Sequence, residues 1–250
     1  MIFTRDDYIK MPSPIEKELK ILFNTHSKLT IFDIGSCEGE DSIKYAKLFP
    51  NSKIYSIEAL PKNLPILYTN LEKYSTKNVE VLPVALSDKR GKAAFYVSSG
   101  NPDNLSRSND WDYGNKSSSL LPPDQHIQYW PWCKFNEVIE VETDTLNNVC
   151  KYYNIEVIDF LHMDVQGAEL KVLKGAGKFL KKIKVIWLEV EHISLYQGQP
   201  LKKEVENFMR ENGFFKIKDT VNKVTGDHLY LNSKYFNFLF YKVLNLLNLF

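Results

Sequence analysis

The stretch Ile31-Phe32-Asp33-Ile34-Gly35-Ser36-Cys37-Glu38-Gly39-Glu40-Asp41 decides how this chain is read. It spells an apolar strand ending at Asp33, a tight glycine turn at Gly35 and a helix starting near Gly39. A second apolar run, Lys53-Ile54-Tyr55-Ser56-Ile57-Glu58, follows and stops on a carboxylate. That layout describes a nucleotide-type pocket at the carboxyl end of a parallel sheet, with Glu58 placed to hold a ribose.

Charge bears on which nucleotide. A dinucleotide fingerprint offers a helix N-terminus to a pyrophosphate, so its turn should be free of anions. Here Glu38, Glu40 and Asp41 crowd the turn, which carries no Lys or Arg before Lys44, and the spacing is Gly-x-x-x-Gly. S-adenosylmethionine has no phosphate; its sulfonium and amino group suit an acidic turn. Acidic residues in a first helical turn also simply complement the macrodipole, so a nicotinamide dinucleotide stays open as the alternative.

Working outward, 250 residues suit one generous domain or a domain with an insertion. With 44% hydrophobic and 25% charged residues the composition is that of a globular protein with a full core. A formal net charge of +1, and lysines that gather only around Lys178–Lys184, argue against nucleic acid as a partner. Cys37, Cys133 and Cys150 form no CxxC pair, which points to a reducing, cytoplasmic setting. The N-terminus lacks the apolar core of a secretion signal, and no run approaches the roughly 18 to 20 apolar residues that span a bilayer.

Residues 1–28 read as a helical lead-in, with Ile15, Leu19, Leu22 and Phe23 at helical spacing after Pro12 and Pro14. Strands and helices then alternate: strands at 29–34, 53–58 and 79–85, helices at 41–48 and at 61–74, the latter opened by Pro61. An extra strand at 91–97 precedes an irregular segment, 98–136, that carries Trp111, Trp130 and Trp132 and is expected to be a substrate-facing lid or a flap over the sheet edge. Regularity resumes with strands at 138–141, 157–163 and 185–191, helices at 143–153, 170–180 and 201–212, and a late antiparallel pair at 214–220 and 228–231. The expected fold class is α/β and Rossmann-like: a seven-stranded, mostly parallel sheet with helices on both faces. Residues 29–232 form the main domain. The apolar tail 233–250 is expected to be a helix that packs on the domain, contacts a second copy in a homo-oligomer, or lies peripherally on a membrane.

Ligands of such sheets sit outside the carboxyl ends of the central strands. Three strand ends should converge there, bringing Asp164, Gln166, Glu169, Glu189, Glu191 and His192 together. Methyl transfer to a hydroxyl needs alignment, worth roughly 7–11 kcal/mol, and a base, worth about 10²–10⁴-fold. Asp164 is the first candidate for that base and His192 the second, with Glu189 beside them. Asp164 and Glu169 also read as charges at the start of the helix they open. His162 reads as a packed strand residue, and His126 and His228 have no informative context. A metal on Asp164, Glu189 and His192 is chemically feasible, although no ligand spacing compels it.

At these residues the sequence resembles the FkbM family of S-adenosylmethionine-dependent methyltransferases, over roughly residues 29–232. The resemblance rests on Asp33-Ile-Gly35-Ser-Cys-Glu-Gly39, Val84-Ala-Leu-Ser-Asp88, Ser118-Ser-Leu120, Thr143-Asp-Thr-Leu146 and the long segment from Ile158 to Gly175. The family usually shows lysine where His162 stands and glutamate where Gln166 stands. The resemblance implies an O-methyltransferase acting on sugars of glycans or on small metabolites, with S-adenosyl-L-methionine as cofactor. It implies that Asp33, Gly35 and Gly39 line the methionine end, that Glu58 holds the ribose, and that Ser87 and Asp88 lie near the adenine. Ser36, Ala59 and Asp164 complete the expected cofactor set. A nicotinamide-dependent oxidoreductase and a catalytically silent cofactor-binding fold remain as rivals.

Overall fold

A computed structural model describes residues 4–102, 111–239 and 241. In chain order the strands are β1 (Thr30–Ile34), β2 (Lys53–Ile57), β3 (Val79–Leu82), β4 (Ala85–Leu86), β5 (Gly91–Ser99), β6 (Lys134–Asp144), β7 (Ile158–Met163), β8 (Ile183–Glu191), β9 (Phe214–Asp219) and β10 (Thr225–Asn232). The helices are α1 (Arg5–Lys10), α2 (Glu16–Leu22), α3 (Glu40–Leu48), α4 (Leu64–Lys73), α5 (His126–Tyr129), α6 (Leu146–Tyr152), α7 (Glu169–Ala176) and α8 (Lys202–Glu211). Seven strands form one sheet in the order β3-β2-β1-β7-β8-β10-β9, in which only β10 runs antiparallel to both neighbours. This is the class I methyltransferase sheet.

The order reverses between β1 and β7, where the crevice of an open α/β sheet lies. One face of the sheet packs Ile186, Leu188 and Val190 against α6, α7 and α8 through Leu146, Leu173, Val205 and Met209. The other buries Ile31, Phe160 and Trp187 under α2 and α3 through Ile15, Leu19, Tyr45 and Phe49. Helices on both faces explain why β1, β7 and β8 are apolar nearly throughout.

Several expectations change. The lead-in is two short helices; Thr4 caps the first with a reciprocal capping box to Asp7. The strand expected at 79–85 is two strands, because Pro83 has no N–H for the ladder and the chain turns tightly there, Val84 N donating to Leu82 O. Ala85–Leu86 then joins β5 and β6 in a separate three-stranded sheet. Strand β6 runs over 134–144, well beyond the 138–141 expected. The helix at 61–74 starts only at Leu64, after a turn at Pro61. Most of the C-terminal tail lies outside the described residues; its described start folds back, with Phe238 and Tyr241 against Phe215 of β9. Among the described residues no helix is long and apolar enough to cross a membrane.

Candidate functional site

Two adjoining recesses open at the carboxyl ends of β1, β2 and β7. The first encloses about 510 Å³, including the part open to solvent, and is lined by Gly35, Glu58, Ala59, Leu86, Phe95 and Leu120 among others. The second, about 410 Å³, is lined by Tyr8, Asp33, Ser36, Asp41, His162 and further polar groups. Gly35, Cys37, Lys116 and Asp164 line both. The pair therefore reads as one crevice, apolar at one end and charged at the other.

Gly35 sets the shape of the crevice. Its φ of +82° suits glycine, and a Cβ there would fall 1.9 Å from the backbone oxygen of Asp164. The bend after β1 can thus touch the turn after β7 only because it lacks a side chain. Glu58, at the end of β2, accepts from Cys37 N–H at 2.7 Å and Leu60 N–H at 2.6 Å. Burial pushes its carboxyl up to about 7, although those two N–H groups work against the rise. A carboxylate held by backbone in an apolar recess is preorganised to accept from a ribose diol.

The acidic bend differs from its sequence reading. Each of its acids is already matched: Glu38 pairs with Arg5 of α1, Glu40 with Lys116, and Asp41 with Lys44 and the Tyr8 hydroxyl. Buried carboxylates require such partners, and here they come from outside the bend. The bend is therefore not the bare anionic surface for a cation that its sequence suggests. Asp33 remains at the recess wall, where its carboxylate accepts from Ser42 and meets His162 Nδ1 at 2.8 Å. Burial alone would lower the His162 pKa; the Asp33 hydrogen bond and the charges of Asp33, Asp41 and Asp164 outweigh it and raise it to about 9. His162 is the packed strand residue expected, edge-on to Tyr45 within β7, and its raised pKa makes it in addition a cationic wall of the recess.

Asp33, Gly35, Ser36, Glu58, Ala59 and Asp164 are brought together as anticipated. Gly39 instead shapes the start of α3, packed on Leu67. Ser87 and Asp88 lie past the crevice, whose wall there is Val84, Ala85 and Leu86; the Ser87 carbonyl approaches Gly175 of α7. Glu189 lines neither recess but is tied to Asp164 through Gln166, whose Nε2 donates to Asp164 at 2.6 Å and Glu189 at 2.8 Å. His192 is exposed and lines neither recess, so the structure does not bring it to the site. Glu169 accepts from Val165 and Gly167 N–H, shaping the turn that opens α7.

Sequence reasoning missed Tyr8, Asn63, Asn115 and Lys116. Asn115 donates to Glu38 and Asn63, so the segment after β5 forms a wall of the crevice. The tryptophans of that segment pack on neighbouring rings, Trp111 on Tyr8 and Tyr113, Trp132 on Tyr113, Trp130 on His126. They line neither recess, which corrects their reading as a substrate-facing surface. Among the described residues one cluster has metal-ligand geometry, Glu206, Asp219 and His228. The Lys216 ammonium bonds both carboxylates there and already supplies the positive charge. The metal considered on Asp164, Glu189 and His192 has no gathered ligand set.

A family profile described as the methyltransferase FkbM domain matches residues 33–216. The chain belongs to the FkbM family. It is an S-adenosylmethionine-dependent methyltransferase, and S-adenosyl-L-methionine is its cofactor. The chain is 30% identical over 204 residues to the 2-O-methyltransferase NoeI of Sinorhizobium fredii, spanning 82% of this chain and 79% of that one. It is 24% identical to the methyltransferase sdnD of Sordaria araneosa, over 78% and 77% of the two chains. The crystal structure of methyltransferase FkbM from Methylobacillus flagellatus shares the fold, with a TM-score of 0.52 at 14% identity, covering 91% of this chain. The match spans only 50% of that structure's length. The crevice of this FkbM-family chain fits the cofactor in its donor set: the Glu58 carboxylate lines the apolar recess at the end of β2 and the Asp33 carboxylate lines the charged one.

Proposed function

We propose that this chain methylates a hydroxyl oxygen of a sugar, in a glycan or a glycosylated metabolite, with Asp164 as the base. The observation that carries the reading is the position of Asp164, which lines both recesses at the reversal of strand order. NoeI, called a 2-O-methyltransferase, supports oxygen as the accepting atom. Glu58 and Ala59 would hold the ribose of the cofactor, and Asp33, Gly35 and Ser36 would hold its methionine end. The bound cofactor supplies an activated methyl group. Asp164 takes the acceptor's hydroxyl proton, worth about 10²–10⁴-fold, and Gln166 holds that carboxylate in place by bonding it to Glu189. The segment 98–136 closes one side of the crevice through Asn115 and Lys116, within one domain spanning 29–232. Three free, buried thiols fit a reducing, cytoplasmic location.

The test is transfer of isotopically labelled methyl from S-adenosylmethionine to a panel of oligosaccharides, with products located by NMR. Label on a sugar oxygen is expected. Asp164→Asn should lower kcat by about 10²–10⁴-fold while S-adenosylhomocysteine still binds. Label on nitrogen or carbon, or none on any sugar, overturns the reading.

A further inference from the structure

The turn after β7 holds Gln166 from three sides. Its backbone is left-handed, φ +55°, a region that residues other than glycine keep only where the surroundings over-determine it. The Gln166 carbonyl oxygen accepts from the buried Ser119 Oγ at 2.7 Å. The amide nitrogen donates to Asp164 at 2.6 Å and to Glu189 at 2.8 Å, and the amide oxygen accepts from Tyr196 Oη at 2.8 Å. Among the described residues no other donor meets that amide oxygen.

The direction of the amide matters. Its two ends have the same shape and opposite roles, one donating and one accepting. Turned over, it would set its oxygen against the Asp164 and Glu189 carboxylates, and Asp164 would lose the donor that Gln166 gives it. A hydroxyl donor at the oxygen end opposes that flip, and Tyr196 supplies it. Burial, and next the charge of Glu189, push the phenol pKa upward, so the proton stays on the oxygen. The same hydroxyl lies 2.7 Å from the Ser117 carbonyl oxygen. Its one proton therefore serves two acceptors and ties Gln166 to the segment 98–136. Tyr196 is fully buried in the loop after β8, its backbone paired with Pro123 and its ring against His126 and Phe135.

We propose that Tyr196 is a positioning residue for methyl transfer: its hydroxyl sets the Gln166 amide so that the nitrogen end faces Asp164. The inference rests on Asp164 as the base. Tyr196 lines neither recess, so its effect passes through Gln166 alone.

The test is Tyr196→Phe in the full chain, which removes the hydroxyl and keeps the ring. The Gln166 side-chain amide is identified by NMR from its absence in Gln166→Leu. Its hydrogens should exchange slowly with solvent in the wild type and about tenfold faster or more in Tyr196→Phe. With the sugar found by the labelling experiment, kcat should fall about tenfold, the size of one neutral hydrogen bond. KM and S-adenosylhomocysteine affinity should stay within about twofold. In a Gln166→Leu background Tyr196→Phe should lower kcat no further, because the two residues act in series. Rapid amide exchange in the wild type, or exchange unchanged in Tyr196→Phe, overturns the inference. So do kcat losses that multiply in the double variant, or a kcat loss matched by an equal loss of S-adenosylhomocysteine affinity, which marks a loosened fold. Full activity in Asp164→Asn, with the amide still protected, would sink the base reading and leave the hold of Tyr196 on Gln166 standing.

Discussion

Replacing Gly35 with alanine tests the crevice at its narrowest point. A Cβ at residue 35 would lie 1.9 Å from Asp164 O and 2.9 Å from its carbonyl carbon, whereas Cβ contacts under 3.0 Å essentially never occur. The turn after β7 must therefore retreat by about 1 Å, and a misplacement of that size costs roughly 10²-fold in rate. The left-handed backbone at φ +82° adds about 1–2 kcal/mol of its own. Gly198→Ala isolates that second contribution, because Gly198 has φ +72° and nothing within 4 Å of its added Cβ. The control should lose about 2–4 °C in Tm, the response to roughly 1 kcal/mol at this size. Gly35→Ala should lose at least twice as much and bind S-adenosylhomocysteine at least tenfold more weakly. Differential scanning calorimetry with and without S-adenosylhomocysteine reads both. Equal Tm losses in the two variants, with ligand affinity intact in Gly35→Ala, would refute the close-approach argument.

Glu58 should make cofactor binding pH-dependent. Its carboxyl is pushed up to about 7 in the free cleft, and ribose hydroxyls favour the ionised form, so affinity should be full above pH 7 and fall below it. In Glu58→Gln that pH dependence should vanish along with about 1.5–3 kcal/mol of binding; a flat wild-type profile in calorimetry counts against the role. The His162 imidazolium should titrate near pH 9 by NMR, and its midpoint should drop in Asp33→Asn. Because the folded pKa exceeds the free value of about 6.5, the associated stability is complete below that pH and is lost as pH rises through 9. A midpoint below 7 in the wild type would contradict the Asp33 pairing. Arg5→Ala leaves the buried Glu38 carboxylate without its main cation and should cost about 3–5 kcal/mol in urea unfolding; a loss under 1 kcal/mol would show that α1 is not anchored by this pair.

The central sheet was legible because β1, β2, β7 and β8 are apolar runs bounded by turn residues, and β10 follows β9 at hairpin distance. The small sheet was harder to read. Strand β6 is largely exposed, with Glu137, Glu140 and Glu142 interrupting any buried face, and Pro83 divides what looks like one apolar run. Glu58 and Gly35 were legible because their roles follow from position in a strand–turn–helix unit. The neutralising partners of the bend were not, since Arg5, Lys116 and His162 are distant in sequence and no local spacing links them to residues 33–41. An expected strand position for His162 was correct; its charge depends on Asp33 lying beside it across the β1–β7 pairing. The one available signal for the missed wall was Asn115-Lys116, one residue before Ser118-Ser119-Leu120.

Those long connections have a consequence for biosynthesis. Arg5 reaches Glu38 across 33 residues, Lys116 reaches Glu40 across 76, and His162 meets Asp33 across 129. On the ribosome, Asp33 is made long before the imidazole that compensates it. Until residue 162 emerges, Asp33 lacks its counter-charge, and distant pairings form slowly. Ligand capture is thus a late event that waits on the emergence of β7. Nascent fragments ending before β7 should be recognised by quality control as unfinished rather than accumulate as half-formed cofactor binders.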